Sequence, residues 1–565
     1  MNQCNLNVIT RRSFLERSVK AGAAVALSTL VDIPLVVKQA LAAGNIGLNG
    51  KKVLFLWLRG ANDSLNSVIP ILDPAYAPSR PTLAVPPDPG TNYAVTGPAD
   101  VPLSGSASTY GAYPYAIRLG NGFAALHPAL KFLAPVYSAG HLALVHRVAY
   151  PRQSQSHFDS QRYWENGNPN NNLVNDGVFY RTIIESGLAN TAPLTGVSIQ
   201  SSLPLLLRGS DAAMTNLTDP LRYDLLGVPN STNGNVKASA YLNQANTFPF
   251  PPKRSRGLLQ LQYENLMGTL DVFAGIDFTD TGNTFQDDEK TDGDANWVPI
   301  NGSGQSIGDA AKGYFLFPGT SSNGQANGDK NGGWRRPDRT TDANKYVVPT
   351  SLATLFDRLR SAALILNKTD AIIAGTEYGG FDTHDTQGHL TGTHPGLNQG
   401  FAWAMYALRK YFTLYADKAT WNDIVVVTLT EFGRTTIENT TRGTDHAVAG
   451  AMFVAGGAVH GYNAGAGRVG VINCGPSDPV PWVPGTNGAM FDAGRPASRP
   501  ADPGRYLSRV TDYRQVLGEI IRNHLGATQD QLNRIIPGYA NPAENLLAGG
   551  VSIDGKQIRG ELGIL

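Results

Sequence analysis

The sequence predicts an α/β protein: a mostly parallel sheet sandwiched by helices, with loop-rich insertions. Three observations point there. Continuous apolar runs recur at Val53–Leu58, Leu142–Val148 and Ile424–Thr430, as expected of strands buried on both faces. Long segments with apolar residues at helical spacing alternate with such runs after Pro349. Polar and titratable residues gather just beyond the runs, where open α/β sheets bind their ligands.

The chain has 565 residues, enough to bury a large core, and its formal net charge is only +1 with 16% charged residues. That balance supplies no field for nucleic acid. No internal stretch is long and apolar enough for a stable membrane span. The N-terminus carries "ITRRSFLERSVKAGAAVALSTLVDIPLVV", with Arg11-Arg12 before an Ala-rich run that closes on Ala40-Leu41-Ala42. This order resembles a twin-arginine export signal with a small-x-small cleavage site, against an ordinary amphipathic helix as the alternative. Residues 1–42 are therefore expected to be the signal, with the twin-arginine translocase as partner during export. Residues 43–565 are expected to form one domain in the periplasm or outside the cell. Cys4 leaves with the signal, so Cys474 has no intrachain partner.

Along the expected mature chain, the Val53–Leu58 strand runs into a turn at Gly60, Asn62 and Asp63. A Pro-rich loop region (about 71–120) precedes a helix in "HPALKFLAPVYSAG" and a strand in "HLALVHRVAY". "PRQSQSHFDSQRYWENG" then reads as a loop entering a helix. Residues from about 168 to 345 are Asn/Gly-rich and read as an insertion, with a helix near "RGLLQLQYENLMGTLDVF". "DDEKTDGDANW" is either a solvated loop or an incomplete calcium loop. Regular alternation resumes with helix "LATLFDRLRSAALILN", strand "DAIIAGT" and helix "GLNQGFAWAMYALRKYFTLYAD". Strands "DIVVVTLT" and "GAMFVAGGAV" follow, and then a C-terminal helix "TDYRQVLGEIIRNHLG" that Gly526 can cap.

Four strand ends would bring their polar residues to one rim: Arg59 and Asp63; Ser156 and His157; Asp382 and His384; and Glu431 and Arg434, with Asp445 and His446 in the next loop. Carboxylates mixed with imidazoles suit zinc, manganese or iron, and all-oxygen subsets suit magnesium or calcium. Each also has a plainer reading. Ser156 and Asp159 fit a capping box, Asp63 a turn cap, Glu431 and Arg434 a surface ion pair, and His446 a satisfied loop histidine. His389 and His394 lie deeper in the same loop and read as cap or rim residues.

Seven stretches occur in order: "LFLWLRGANDSLNSVIP", "LHPAL", "SHFDSQRYWENG", "GGFDTHDTQ", "VVVTLTEFGRT", "GTDHA" and "TDYRQVLGEII". Together they resemble the exported proteins of the domain of unknown function 1501 family, grouped with the alkaline phosphatase and sulfatase superfamily. The resemblance runs from about residue 51 to 526, apart from the Asn/Gly-rich insertion. It implies an alkaline-phosphatase-like fold, Asp63 as a first-strand metal ligand and Ser156 at the nucleophile position. It also implies Asp382 and His384 as a ligand pair, Glu431 in a further ligand position, and His446 beside Asp445 as the late histidine. The sequence departs from the superfamily pattern in the spacing of Asp382 and His384, and in Glu431-Phe432 where an Asp-His pair is usual. One or two divalent ions (zinc, manganese, magnesium or calcium) are thus implied.

The expected function is an exported metal-dependent hydrolase of phosphate esters, or less readily sulfate esters, with Ser156 or a metal-bound water as nucleophile. "SHFDS" lacks the context that formylglycine sulfatases need. Arg59 and Arg434 would hold the ester oxygens, and His157 would serve as general acid or as a metal ligand. The alternatives are a non-catalytic cell-surface or periplasmic binding or scaffold protein that retains the fold, and an iron redox enzyme using the same ligands.

Overall fold

In the computed structural model, the described residues are 46–87, 115–190, 194–218, 350–485 and 505–565, with short pieces between 268 and 335. The expected signal lies outside them. So do the expected helix near 256–273 and the "DDEKTDGDANW" stretch, except at their ends.

The strands of the central sheet are β1 (Lys52–Leu58), β2 (Leu142–Ala149), β3 (Gly196–Ile199), β4 (Thr215–Leu217), β5 (Ile373–Tyr378), β6 (Ile424–Leu429), β7 (Gly450–Ala455), β8 (Val471–Ile472) and β9 (Thr511–Asp512). Their order is β8-β2-β7-β6-β1-β5-β3-β4, with β9 also pairing with β2. All pairings are parallel except those of β7, which runs against both β6 and β2.

Side-chain alternation along β1 shows why its apolar run is unbroken. Leu54, Leu56 and Leu58 enter one core, while Val53, Phe55 and Trp57 enter the other. Helices α1 (His157–Asn166), α2 (Val178–Ser186), α3 (Thr350–Lys368), α4 (Thr393–Leu414), α5 (Tyr513–Glu519) and α6 (Gln529–Ile535) cover the faces. Leu359, Ile365, Phe401 and Tyr406 of α3 and α4 join the first core. Trp164, Phe179, Val516 and Ile535 of the other four helices join the second. No helix among the described residues is long and apolar enough to cross a membrane.

The structure departs from the sequence reading at three places. The segment read as an insertion supplies α2, β3 and β4, so the central sheet extends into it. Its strands are short and its loops Asn-rich, which hid their period. "HPALKFLAPVYSAG" forms a 3-10 helix, Pro128–Leu133, leading into a short α-helix, Ala134–Ser138. The C-terminal helix loosens into a π turn at Ile520–His524 before Gly526, whose φ is 86°.

Register aligns the strand ends. Leu58 of β1 pairs with Tyr378 of β5, and Trp57 pairs with Leu429 of β6. The loops after these three strands therefore leave side by side. Because β7 is antiparallel, it is the segment before it, Thr444-Asp445-His446, that reaches the same rim.

Candidate metal centre

Four side chains meet at that rim. The Nε2 atom of His446 lies 3.0 Å from Nε2 of His157 and 2.8 Å from Nε2 of His384. Asp382 Oδ1 lies 3.1 Å from His384 Nε2, 3.2 Å from His446 Nε2 and 3.4 Å from His157 Nε2. His157, Asp382 and His446 form a group whose ligand atoms all lie within 4.8 Å of one another.

Hydrogen bonding at the far side of each ring fixes its tautomer. Nδ1 of His446 faces the Gln155 carbonyl at 2.8 Å, an atom that can only accept. Nδ1 of His384 faces Asp445 Oδ1 at 3.1 Å, and Nδ1 of His157 faces Glu431 Oε1 at 3.3 Å. Each neutral ring thus donates from Nδ1 and turns a bare Nε2 lone pair inward. The His446 lone pair lies within about 3 Å of those of both His157 and His384, and facing lone pairs repel unless a cation lies between them. Histidines held by an acceptor at the far nitrogen are the usual companions of a bound metal. Tetrahedral donors around zinc stand about 3.3 Å apart, close to the 3.0, 3.2 and 3.4 Å spacings among His157, His446 and Asp382. The two nitrogens and one carboxylate oxygen of His157, His446 and Asp382 therefore fit a divalent transition metal, with His384 beside them on His446 and Asp382.

Electrostatics favour the donor forms of Asp382, His384 and His446. Burial and the nearby Arg434 charge lower the pKa of His384, and burial foremost lowers that of His446, which favours their neutral forms. Burial works against ionisation of Asp382, but the hydrogen bond and charge of Arg434 outweigh it and hold the carboxyl at about 2. His157 differs: the hydrogen bond it donates to Glu431 foremost raises its pKa, which favours the charged ring over a bare Nε2.

Sequence reasoning gave several of these residues other parts. Glu431 is fully buried and points away from the four donors. Its carboxylate accepts from Gly60 N (2.9 Å), Ala61 N (3.0 Å), Gln161 Nε2 (2.7 Å) and His157. It orients His157 and pins the loop after β1. Asp63 is also fully buried and away from the cluster: Arg80 grips both its oxygens at 2.5 and 3.0 Å, and Gln387 Nε2 donates to it at 2.7 Å. Asp445 stands one shell out, ion-paired with Arg505 and holding His384. His157, given as acid or ligand, has its Nε2 among the four donors.

Neither arginine is left for a ligand. Arg434 is buried and donates to the carbonyls of Gly60, Ala61, Phe381 and Thr444 and to Asp382. It staples together three of the loops that build the rim. Arg59 pairs with Glu165 at 2.9 Å and Glu377 at 3.1 Å, over the Trp57 ring. Ser156 is the N-cap of α1, its hydroxyl accepting from Asp159 N at 3.4 Å. His394 is buried in the first turn of α4 on Asn62 Oδ1 at 2.9 Å, and burial lowers its pKa to about 4. The carbonyl of His389 takes a bond from His127.

Backbone geometry explains the close fit. A Cβ on Gly60, whose φ is +103°, would stand 2.4 Å from Asp382 N, so the β1 and β5 loops touch only because residue 60 has none. Gln161, Gln155, Arg80 and Arg505 were missed in the sequence. Gln161 alone left a signal, since it follows His157 at i+4 on the same helix face.

Fold and site together define an α/β protein whose mostly parallel sheet carries a nitrogen-rich donor cluster at the carboxyl ends of its strands. Residues 349–466 match the family model described as Protein of unknown function (DUF1501). The match supports the family that the motifs suggested and spans Asp382, His384, Glu431, Arg434, Asp445 and His446, while His157 lies outside it. No curated protein matches the chain.

Proposed function

We propose that the protein is an exported hydrolase of phosphate esters, less readily of sulfate esters, that depends on one divalent metal ion. The observation that carries this reading is the close grouping of His157 Nε2, His446 Nε2 and Asp382 Oδ1, with His384 Nε2 against the last two and each ring tied to an acceptor behind it. A nitrogen-rich set favours zinc or manganese over magnesium and calcium, which prefer all-oxygen sites. When bound, such an ion polarises an ester oxygen and acidifies water near neutral pH.

The chain's own residues hold that chemistry in place. The side chains of Asp382 and His384 are 45% and 43% exposed, so the cluster faces solvent as an open catalytic site must. Glu431, Asp445 and the Gln155 carbonyl fix the three rings. With the Ser156 hydroxyl engaged as a helix cap, water is the nucleophile. In the reaction its oxygen bonds to phosphorus, the bond to the leaving oxygen breaks, and one water proton ends on the leaving alcohol and the other on the phosphate product or solvent. The twin-arginine-like N-terminus supports export to the periplasm or beyond. Strand-end ligands on a mostly parallel sheet support kinship with the alkaline phosphatase superfamily.

Elemental analysis of protein purified without chelators, with a panel of aryl phosphate mono- and diesters and aryl sulfates, tests the reading. One ion per chain, lost in Asp382→Ala together with turnover, supports it. Less than one ion per three chains overturns it. The engagement of Arg59, Arg434 and Ser156 within the protein favours a second reading, an exported binding or scaffold protein; full metal occupancy with no turnover on the panel would select that one.

A further inference from the structure

The four donors at the rim do not form one closed set. Nε2 of His384 lies 2.8 Å from His446 Nε2 and 3.1 Å from Asp382 Oδ1, yet His384 falls outside the group whose ligand atoms all lie within 4.8 Å of one another. It is therefore His157 from which it stands apart. Two nitrogens bound to one zinc ion can be no more than about 4.2 Å apart, twice the zinc–nitrogen bond length. An ion held by His157, His446 and Asp382 thus leaves His384 unbound unless a side chain moves. His384 closes a second triangle instead, on the same His446 nitrogen and the same Asp382 oxygen, which lie 3.2 Å apart. Two three-donor seats share that edge.

The seats differ in depth and in stiffness. The side chain of His157 is 23% exposed and that of His384 is 43% exposed. Behind His157 stands Glu431, fully buried and holding Gly60 N, Ala61 N and Gln161 Nε2 as well as the ring. Behind His384 stands Asp445, whose side chain is 33% exposed. Asn439 and Thr441 donate to the His384 carbonyl at 2.8 and 2.9 Å, so the backbone is fixed and motion is left to the ring. The shared edge therefore joins an outer seat to an inner one. An ion crossing it keeps His446 and Asp382 and exchanges one ligand, His384 for His157. Stepwise exchange of this kind never leaves the ion bare, and it supplies the entry path that a metal site needs.

We propose that the His384–His446–Asp382 triangle is the loading seat of this centre: a divalent transition-metal ion such as zinc is captured there from solvent and passes across the shared edge to His157, where it rests. The inference rests on the metal-dependent reading of the same cluster, and gives His384 a part in loading rather than in the resting ligand set. By microscopic reversibility the ion leaves by the same route. His384 then speeds release as much as uptake and leaves affinity unchanged.

Stopped-flow mixing of metal-stripped full-length protein with cobalt(II) measures uptake through the visible absorption of the bound ion. Transfer of zinc from the loaded protein to a chromophoric chelator measures release. His384→Ala should slow both by about tenfold, one ligand bond being missing at the barrier, and still hold one ion per chain at equilibrium. His384→Leu, which fills the place of the ring without a donor, should do the same. His157→Ala should lose the ion on dialysis. Wild-type protein that takes up neither ion would end the metal reading and the proposal with it. If the wild type loads, the proposal alone falls when either His384 variant exchanges at the wild-type rate or loses the ion at equilibrium, or when His157→Ala keeps it.

Discussion

Replacing Glu431 by Gln tests whether the buried carboxylate works by orienting His157. In the wild type its two oxygens accept from Gly60 N, Ala61 N, Gln161 Nε2 and His157 Nδ1. An amide of the same shape offers one oxygen and one NH2. With its oxygen toward His157, the NH2 meets the Ala61 N–H, donor against donor. Turned the other way, it meets His157 Nδ1 and Gly60 N, and His157 must move its proton to Nε2, losing the lone pair it turns inward. Either outcome leaves buried donors unsatisfied, costing about 1–3 kcal/mol. The second also costs metal affinity, on the order of 10–100-fold for the loss of such a partner. Thermal unfolding with and without zinc separates the two. At free zinc about 100 times the wild-type Kd, the ion stabilises the wild type by about 2.7 kcal/mol; a variant bound about thirtyfold more weakly gains about 0.9 kcal/mol. Equal zinc stabilisation in Glu431→Gln marks the first outcome, with the amide oxygen still holding His157; equal stabilisation in Glu431→Ala as well, where no acceptor remains, would refute the orienting role.

Other substitutions probe the neighbouring groups. Asp63→Asn should cost about 3–5 kcal/mol in urea unfolding, because it leaves the Arg80 charge buried without its partner. Burial opposes ionisation of Asp63, but Arg80 prevails and holds its folded pKa below the ordinary carboxylate value. Its contribution is therefore complete above the unfolded pKa and lost as pH falls through the folded one. Stability measured from about pH 5 downward should fall less steeply in Asp63→Asn than in the wild type. Ser156→Ala should cost about 1 kcal/mol as a lost helix cap while zinc and turnover persist; loss of turnover with zinc retained would make Ser156 the nucleophile. Glu519→Ala frees the backbone N–H groups of Leu562, Gly563 and Ile564, which its carboxylate holds. Limited proteolysis should then trim the C-terminus at a rate the wild type resists.

The sheet was legible because strands buried on both faces leave continuous apolar runs. Val53–Leu58 divides its side chains between two cores, and no polar residue interrupts it. β3 and β4 were not legible. Each is short, and Ser198 and Asn216 bond to each other within them, so their composition resembles the Asn-rich loops around them. At the rim, the sequence supplied residue types and their approximate meeting place but not their shells. Whether a carboxylate faces inward or outward depends on which backbone N–H groups lie behind it. That is set by Ala61, a non-glycine residue at φ 65°, and by the absence of a Cβ at Gly60. No spacing rule encodes those contacts.

The arginines make the same point in terms of charge. Beside a strand end in the sequence, Arg59 and Arg434 look like anion-binding groups, since a guanidinium is always charged and presents a fork of donors. In the fold each meets acceptors enough to use that fork before any ligand arrives: carbonyls of three loops and Asp382 for Arg434, and two glutamates for Arg59. A buried guanidinium without those partners would be costly, so the partners are a condition of its burial. Arg434 is therefore better tested as a scaffold than as a substrate clamp. Arg434→Lys keeps one positive charge but cannot span Gly60, Ala61, Phe381 and Thr444 at once. It should lower both metal affinity and unfolding stability, whereas a residue that only clamps substrate would raise KM and leave the other two unchanged.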